Sequence, residues 1–516
     1  MSGLANDAHY DVAIVGFGPS GAVAAALLGQ AGVRTLVVDR SRTVYDRPRA
    51  IALDHEIMRV FQQLGLDEEI SRYCEPFTPS EYYGADGQLI KRLATVPPPY
   101  PLGHTPSMVF TQPEVERVLR AHVAALPSVT VALGQRMTTL RQDADQATLL
   151  LMDDEGLQRT VHASYVIGCD GASSTVREAV GITLEDLQFD EPWLVVDVQI
   201  NERGLAKLPK TSVQYCEPAR PCTYVIGPGM HRRWEISLLP GEDPAYMASE
   251  EGAWSVLQRW ITPEDGALWR QASYRFHALV AREWRKGRVF IAGDAAHQQP
   301  PFLGQGMCQG VRDVANLVWK LRAALEGKGG NALLDSYGAE RGAHVRRLTA
   351  RIKEIGRVIC ERDPDKARER DAALIAAAGG EIRTQARQDI IPPLEHGLLA
   401  RSDAGSGVGT LFPQPRLQHA DGAQLMDQLA GCGWRVVTSL PTWSLPPALA
   451  ARAEAFGTLV SVAPGTECDG VLAAWFDRHQ CCAAIVRPDH YVYGVAATGE
   501  ALAALLDEWE AATATV

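Results

Sequence analysis

Residues Gly16 to Gly21 read G-F-G-P-S-G, between an apolar β-branched run, Val12 to Val15, and an Ala/Leu-rich run, Ala22 to Leu28. This feature constrains the fold most. A buried parallel strand, a glycine turn and a helix make the first half of a βαβ unit. Thr35 to Val38 reads as its second strand and ends at Asp39. Gly16 allows the tight turn, Gly18 lets the backbone approach a pyrophosphate, and Gly21 permits close helix–strand packing. The phosphate charge meets the amide-rich helix N-terminus, and Pro19 and Ser20, inside the turn, join the candidate set. Asp39, with Arg40 beside it, is placed to accept from a ribose hydroxyl. Alone, the motif does not separate FAD from NAD.

Two later segments narrow the choice. Cys169-Asp170-Gly171-Ala172-x-Ser174-x-Val176-Arg177 follows a predicted buried strand, Tyr165 to Cys169. Gly293-Asp294-Ala295-Ala296-His297 follows another, Arg288 to Ala292, with Pro300-Pro301, Gly304-Gln305-Gly306 and a long helix, about Val311 to Leu325, behind it. Asp294 at a strand end suits ribityl hydroxyls or a bridge to the pyrophosphate. Gly304 to Gly306 opens a helix and offers amide donors to an electron-rich ring edge.

Composition excludes several classes. The 516 residues allow about three domains. With 46% hydrophobic and 22% charged residues, the chain is neither disordered nor fibrous. A net charge of -12 gains nothing from counterion release, so no nucleic-acid partner is expected. No apolar run reaches the roughly 20 residues of a membrane span. Met1 to Tyr10 does not resemble a signal peptide. The ten Cys include no Cys-x-x-Cys pair, so reduced thiols, no metal site and a cytoplasmic location are expected.

Along the chain, Arg49 to Leu64 reads as helical, Glu81 to Leu93 as a hairpin about Asp86-Gly87, and Gln112 to Leu126 as a helix. Val129 to Leu133 and Ala147 to Met152 read as strands. Trp193 to Ile200, Thr211 to Tyr215, Thr223 to Ile226 and Trp234 to Leu239 suggest an antiparallel sheet with one covered face. Helical character fills Leu333 to Arg370. Past a Gly/Ser-rich joint, Gly405 to Gly409, a separate α/β pattern begins.

The three segments resemble the fingerprints of the class A FAD-dependent aromatic hydroxylases, the single-component flavoprotein monooxygenases. The nearest resemblance within them is to the branch acting on 3-(3-hydroxyphenyl)propionate. Pro48-Arg49-Ala50-Ile51, Gln112-Pro113, Cys216 to Pro221, His231 to Glu235, Asp313 to Leu321 and Arg487-Pro488-Asp489 carry it as well. The resemblance implies a mixed α/β fold. A Rossmann-like FAD-binding domain (1–75, 105–182, 285–330) is interleaved with an antiparallel β-sheet substrate domain (76–104, 183–284). A helical connecting region (331–404) and a C-terminal thioredoxin-like α/β domain (405–516) follow. Arg49 and Gln112 are then expected at the flavin, Asp294 on the FAD chain, and Asp170 in a segment serving FAD and NAD(P)H. Pro301, Gln305 and Met307 join Gly293, Gly304 and Gly306 as cofactor candidates. Asp39 stands where Glu is commoner. Gln298 to Leu303, and His55 after Asp54, also depart from the branch pattern.

The implied reaction is NADH- or NADPH-driven hydroxylation of a phenolic ring by O2 through a flavin C4a-hydroperoxide. The expected substrate is a 3-hydroxyphenyl carboxylate such as 3-(3-hydroxyphenyl)propionate. His55 is the base candidate, because an imidazole titrates near neutral pH. Tyr215, Arg220, Arg233 and Pro301 are the substrate candidates. A solvated sheet face competes with that reading for the arginines, and core packing competes for Tyr215. A homodimer is a further expectation. The alternatives are a polycyclic or antibiotic substrate, or a non-oxygenating flavin reductase or redox sensor.

Overall fold

In a computed structural model, residues 4–401, 407–420, 422–441, 444–463 and 465–514 are described. The glycine turn stands at the head of a parallel sheet. Ala8–Val15 lies at its centre, parallel to Thr35–Asp39 on one side and Gln158–Gly168 on the other. Val129–Leu133 and Val289–Ile291 extend it in parallel at either flank. Pro19–Gln30 follows the turn and packs on Gly306–Leu325 and Gln112–Ala124. Val12, Ala13, Ile14, Ala22 to Ala26 and Leu36 are sealed from solvent in this core. Parallel strands covered on both faces require such unbroken apolar runs.

A second sheet has nine strands. Its centre is antiparallel: Leu184–Ile200 pairs with Gly266–Ala281 and His231–Ser237, and the latter with Cys222–Ile226. Ser212–Tyr215 and the Ser80–Tyr83/Leu89–Ala94 hairpin continue it. His297–Gln298 and Thr384–Ala386 close its edges. The alternation predicts one covered face, but every residue of His231–Ser237 is buried. One face packs Leu194, Val196, Trp234 and Ile236 against Glu250–Leu257. The other meets residues 48–52 and Phe302.

Two expectations need correction. The helix expected over Arg49 to Leu64 starts only at His55, where Asp54 caps the amides of Glu56 and Ile57 at 3.1 and 3.3 Å. Ala52–Asp54 is a strand paired with Ser107–Phe110. The long strand Gly266–Ala281 was not expected, because Arg270, Tyr274, Arg275 and His277 break its apolar alternation.

The C-terminal unit runs strand Arg435–Thr438, helix Pro447–Phe456, strand Thr458–Ser461, helix Val471–His479, strands Ala483–Val486 and Val492–Ala496, and helix Gly499–Ala514. In its sheet Arg435–Thr438 lies between Thr458–Ser461, which is parallel to it, and Ala483–Val486, which is antiparallel and pairs in turn with Val492–Ala496. The joint expected at Gly405 to Gly409 lies partly outside the described residues. Buried charges dock the unit. Asp427 accepts from Arg59 at 2.6 and 3.0 Å and also pairs with Arg435. Arg487 donates to Glu340 at 2.6 Å and to Asp489 at 2.7 Å. Glu340 also receives Lys320 at 2.7 Å.

Candidate active site

The glycine turn has the geometry its spacing predicts. Gly16 has φ +103°, and a Cβ there would strike the Cys169 carbonyl. A Cβ on Gly21 would overlap the Gly16 carbonyl, whereas one on Gly18 would meet nothing within 4 Å. Gly18 thus faces open space at the start of a helix that no side chain caps. That is the shape an anion needs for close approach to helix amides. Asp39 accepts from the amides of Phe17 at 2.6 Å and Ser41 at 2.7 Å, which ties the second strand to the turn. Arg40 is exposed and borders a surface pocket with Gly134, Arg136 and Asp153.

Gly293 and Ser20 are in contact, so the Gly-Asp segment lies against the start of the first helix. Asp294 is exposed although it lies deep in the fold, as a side chain lining a cleft should be. Burial pushes its carboxyl up, while His297 and Arg49 pull the other way. Asp294 and Arg49 therefore share one cleft. Gly304 has φ +64° and packs on Ala52. Its amide donates to the Pro301 carbonyl at 2.6 Å. The Gly306–Leu325 helix begins without a side-chain cap, and Gly306 faces open space. Met307 is half-buried, and Gln305 is held by Arg312 at 2.8 Å.

Several expected contact residues hold the backbone. Gln112 accepts from the amides of Arg49 and Ala50 at 2.9 and 2.6 Å. Arg233 donates to the carbonyls of Arg49 at 2.7 Å and Pro48 at 3.2 Å, and Arg270 reaches the Pro48 carbonyl at 2.9 Å. Asp197 anchors this set, receiving Arg233 and His231 at 2.7 Å each. Burial alone would raise its carboxyl, but Arg233 and His231 outweigh burial and hold it below the usual range. Asp170 accepts from Ser174 at 2.5 Å, Thr175 and the Val176 amide, fixing a helix start. His297 donates to Asp313 at 2.7 Å, and Asp313 also takes the Gly293 amide.

The substrate candidates separate. Arg233 lies on the sheet face that meets the Arg49 loop. Tyr215 is on the opposite face, against Trp260, because side chains alternate along a strand. Arg220 is held by Glu242 at 2.5 and 3.0 Å. His55 is buried among Asp54, Arg59 and Arg312, and burial lowers its pKa to about 4. It is neutral at pH 7 and grouped with the helix-start charges rather than with Arg49 and Asp294.

Sequence reasoning missed Glu235. It pairs across the sheet with Val195 and Thr223, and Thr223 pairs with Gln214. These residues share the inner face with Arg233. Thr223 donates to Gln214 at 2.6 Å, and no side-chain hydrogen bond reaches the Glu235 carboxylate among the described residues. Burial pushes the Glu235 carboxyl up to about 7. Nothing in H-R-R-W-E-I-S signals this, since alternating charges on a strand ordinarily face water.

The glycine turn and the parallel sheet it heads are those of a dinucleotide-binding fold. The family defined as FAD binding domain matches residues 9–352, and the HcaD C-terminal domain family matches 409–512. A protein of Rhodococcus jostii named "Probable NADH-specific resorcinol 4-hydroxylase" is 38% identical, over 98% of this chain and 96% of its own. A 3-(3-hydroxy-phenyl)propionate/3-hydroxycinnamic acid hydroxylase of Burkholderia vietnamiensis is 33% identical, over 93% and 92%. The flavin-dependent monooxygenase PieE, solved with FAD and substrate, superposes with a TM-score of 0.83 over 99% of this chain and 100% of its own, at 22% identity. The chain belongs to the class A FAD-dependent aromatic hydroxylases. FAD is its cofactor, and no helix among the described residues is long and apolar enough to cross a membrane.

Proposed function

We propose that the protein is an NADH-consuming hydroxylase of a monocyclic phenol with a second hydroxyl meta to the first, a substrate of the resorcinol kind. The polarity of the inner sheet face carries this reading. Glu235, Gln214 and Thr223 offer a carboxylate, an amide and a hydroxyl, while Arg233 is committed to Asp197 and to loop carbonyls. A substrate carboxylate would meet Glu235, whereas a hydroxyl would find an acceptor. The name of the Rhodococcus relative agrees.

When bound, FAD supplies the activated oxygen. The chain does the positioning. The Gly16 to Gly21 turn and the uncapped helix N-terminus would hold the pyrophosphate, Asp39 a ribose hydroxyl and Asp294 the ribityl hydroxyls. Arg49, held through its own backbone, would meet the ring together with Pro301 and the Gly304 to Gly306 amides. Phe302, Trp193 and Tyr82 pack beside this face and keep water from the reacting atoms.

A 3-hydroxyphenyl carboxylate is the second reading, and Arg387 favours it. Its half-buried guanidinium lies 4.3 Å from the Phe77 ring centroid and donates to the Leu303 carbonyl, with no carboxylate partner among the described residues. The deciding experiment gives FAD-loaded protein NADH, O2 and either resorcinol or 3-(3-hydroxyphenyl)propionate, and follows product mass. Resorcinol gaining one oxygen, with matching NADH consumption, is expected. Preferred turnover of the propionate would move the assignment to the second reading. Peroxide release with no oxygenated product from any phenol would refute both.

A further inference from the structure

We propose that Glu235 is the group that takes a hydroxyl proton from the phenolic substrate, and that its charge turns away substrates carrying a carboxylate. This rests on the phenol-hydroxylase reading above. The argument is geometric. Along the His231–Ser237 strand, residues 231, 233, 235 and 237 point to the inner face. His231 and Arg233 are satisfied by Asp197, and Arg233 also holds the backbone beside Arg49. Toward the other end of this face, Trp193, paired with Ser237, packs on Phe302 with ring centroids 5.5 Å apart. The Glu235 row lies between these two contacts. Beyond Phe302 and Leu303, Gly304 returns to pack on Ala52. Glu235 thus sits on the part of the sheet framed by the Arg49–Ala52 and Pro301–Gly304 segments.

Glu235 is 6% exposed, and no donor reaches it among the described residues. Its nearest cation, Arg233, is 4.0 Å away and already engaged. A buried carboxylate without a donor is costly unless a ligand completes it. A phenol hydroxyl is such a donor. As the proton moves, the substrate O–H bond breaks and an Oε–H bond forms on Glu235. The electron pair stays on the phenol oxygen and raises density at the ortho and para ring carbons. The proton then leaves to solvent.

The groups facing Glu235 set its titration. Burial raises its pKa to about 7, Arg233 and Arg270 oppose this, and Asp197 adds to it. Tyr82 continues the row through Gln214, and burial raises its hydroxyl so that it stays neutral; Cys222 on the neighbouring strand points to the opposite face. A base titrating near the working pH is well matched to proton transfer.

The test compares wild type, Glu235→Gln and Glu235→Asp, each FAD-loaded. For resorcinol, wild-type kcat/KM should rise through a limb near pH 7. Glu235→Gln should lose that limb and about 10²–10⁴-fold in rate, while Glu235→Asp keeps a limb at lower pH. A second readout needs no turnover. A carboxyl whose pKa is raised on folding costs stability as pH climbs past it. The cost starts at the unfolded value of 4.5 and is full above about 7, so Glu235→Gln should melt above wild type at pH 8 and level with it at pH 4. Calorimetry should show the Gln variant binding 3-(3-hydroxyphenyl)propionate at least about tenfold tighter than wild type at pH 8, a gain of roughly 1.4 kcal/mol. Wild-type turnover with an unchanged pH limb in Glu235→Gln would overturn this assignment alone. A wild type that converts no monocyclic phenol would overturn the underlying reading and this assignment with it.

Discussion

Replacing Glu340 by Gln should loosen the C-terminal unit from the core. Glu340 has no exposed side-chain surface and accepts from Lys320 at 2.7 Å, Arg487 at 2.6 Å, Asn316 at 2.7 Å and the Leu398 amide at 2.9 Å. Burial alone would raise its carboxyl, but Arg487 and Lys320 outweigh burial and bring it from 4.5 to about 2. At about 1.4 kcal/mol per tenfold change in proton affinity, the charge on Glu340 is worth roughly 3 kcal/mol to the fold. Loss of one partner from a buried ion pair costs about 3–5 kcal/mol, so the two figures agree. Arg487 keeps Asp489, leaving Lys320, already lowered to about 8 by burial, as the stranded group. A 3 kcal/mol loss moves the melting midpoint of a 150–250-residue unit by about 6–12 °C, and this longer chain should sit near the lower figure. The sign with pH follows. A depressed carboxyl stabilises above its unfolded value and loses that contribution as pH falls toward the folded one. The gap between variant and wild type should be full at pH 7 and close between about pH 4.5 and 2. Scanning calorimetry across that range measures it. A Gln variant melting within about 1 °C of wild type at pH 7 would refute the reasoning.

Three further outcomes are expected. Gly18→Ala should fold but purify with little FAD, whereas Gly21→Ala should lose both FAD and stability, since its Cβ would overlap the Gly16 carbonyl; the ratio of flavin to protein absorbance with a melting curve separates them. Asp197→Asn strands Arg233 and Arg270 inside the sheet and should cost about 3–5 kcal/mol, measured by urea unfolding. Arg49→Ala removes an exposed guanidinium, so the melting point of the FAD-free protein should hold while FAD binding weakens by about 10–100-fold, from about 1.5–3 kcal/mol for a charged hydrogen bond.

The parallel sheet and its glycine turn were legible because their signals are local: Val12 to Val15, the three glycines and Asp39 lie within a short stretch of chain. The strand Gly266–Ala281 was not, because its charged residues disguise the period of two. Ala52–Asp54 is too short to show any period and merges with the helix that follows it. The docking charges were invisible for another reason. Arg59 finds Asp427 368 residues away, and Glu340 finds Arg487 147 away, distances over which no spacing rule operates. Gln112 and Arg233 were singled out, but sequence could not tell that they grip backbone at residues 48–50. Glu235 escaped because a buried, unpaired acid and a solvated one look alike in a row of letters.

The grip on residues 48–50 bears on alignment. The loop bearing Arg49 hangs by its carbonyls from the sheet that carries Glu235, while the phosphate turn belongs to the other sheet. In the reading proposed above, the ring end of the cofactor and its substrate are thus surveyed from one benchmark, and the phosphate end from another. Were the two sheets to shift against each other, the mismatch would fall along the cofactor's rotatable chain. The distance between ring end and substrate would then be kept by the one sheet that holds both.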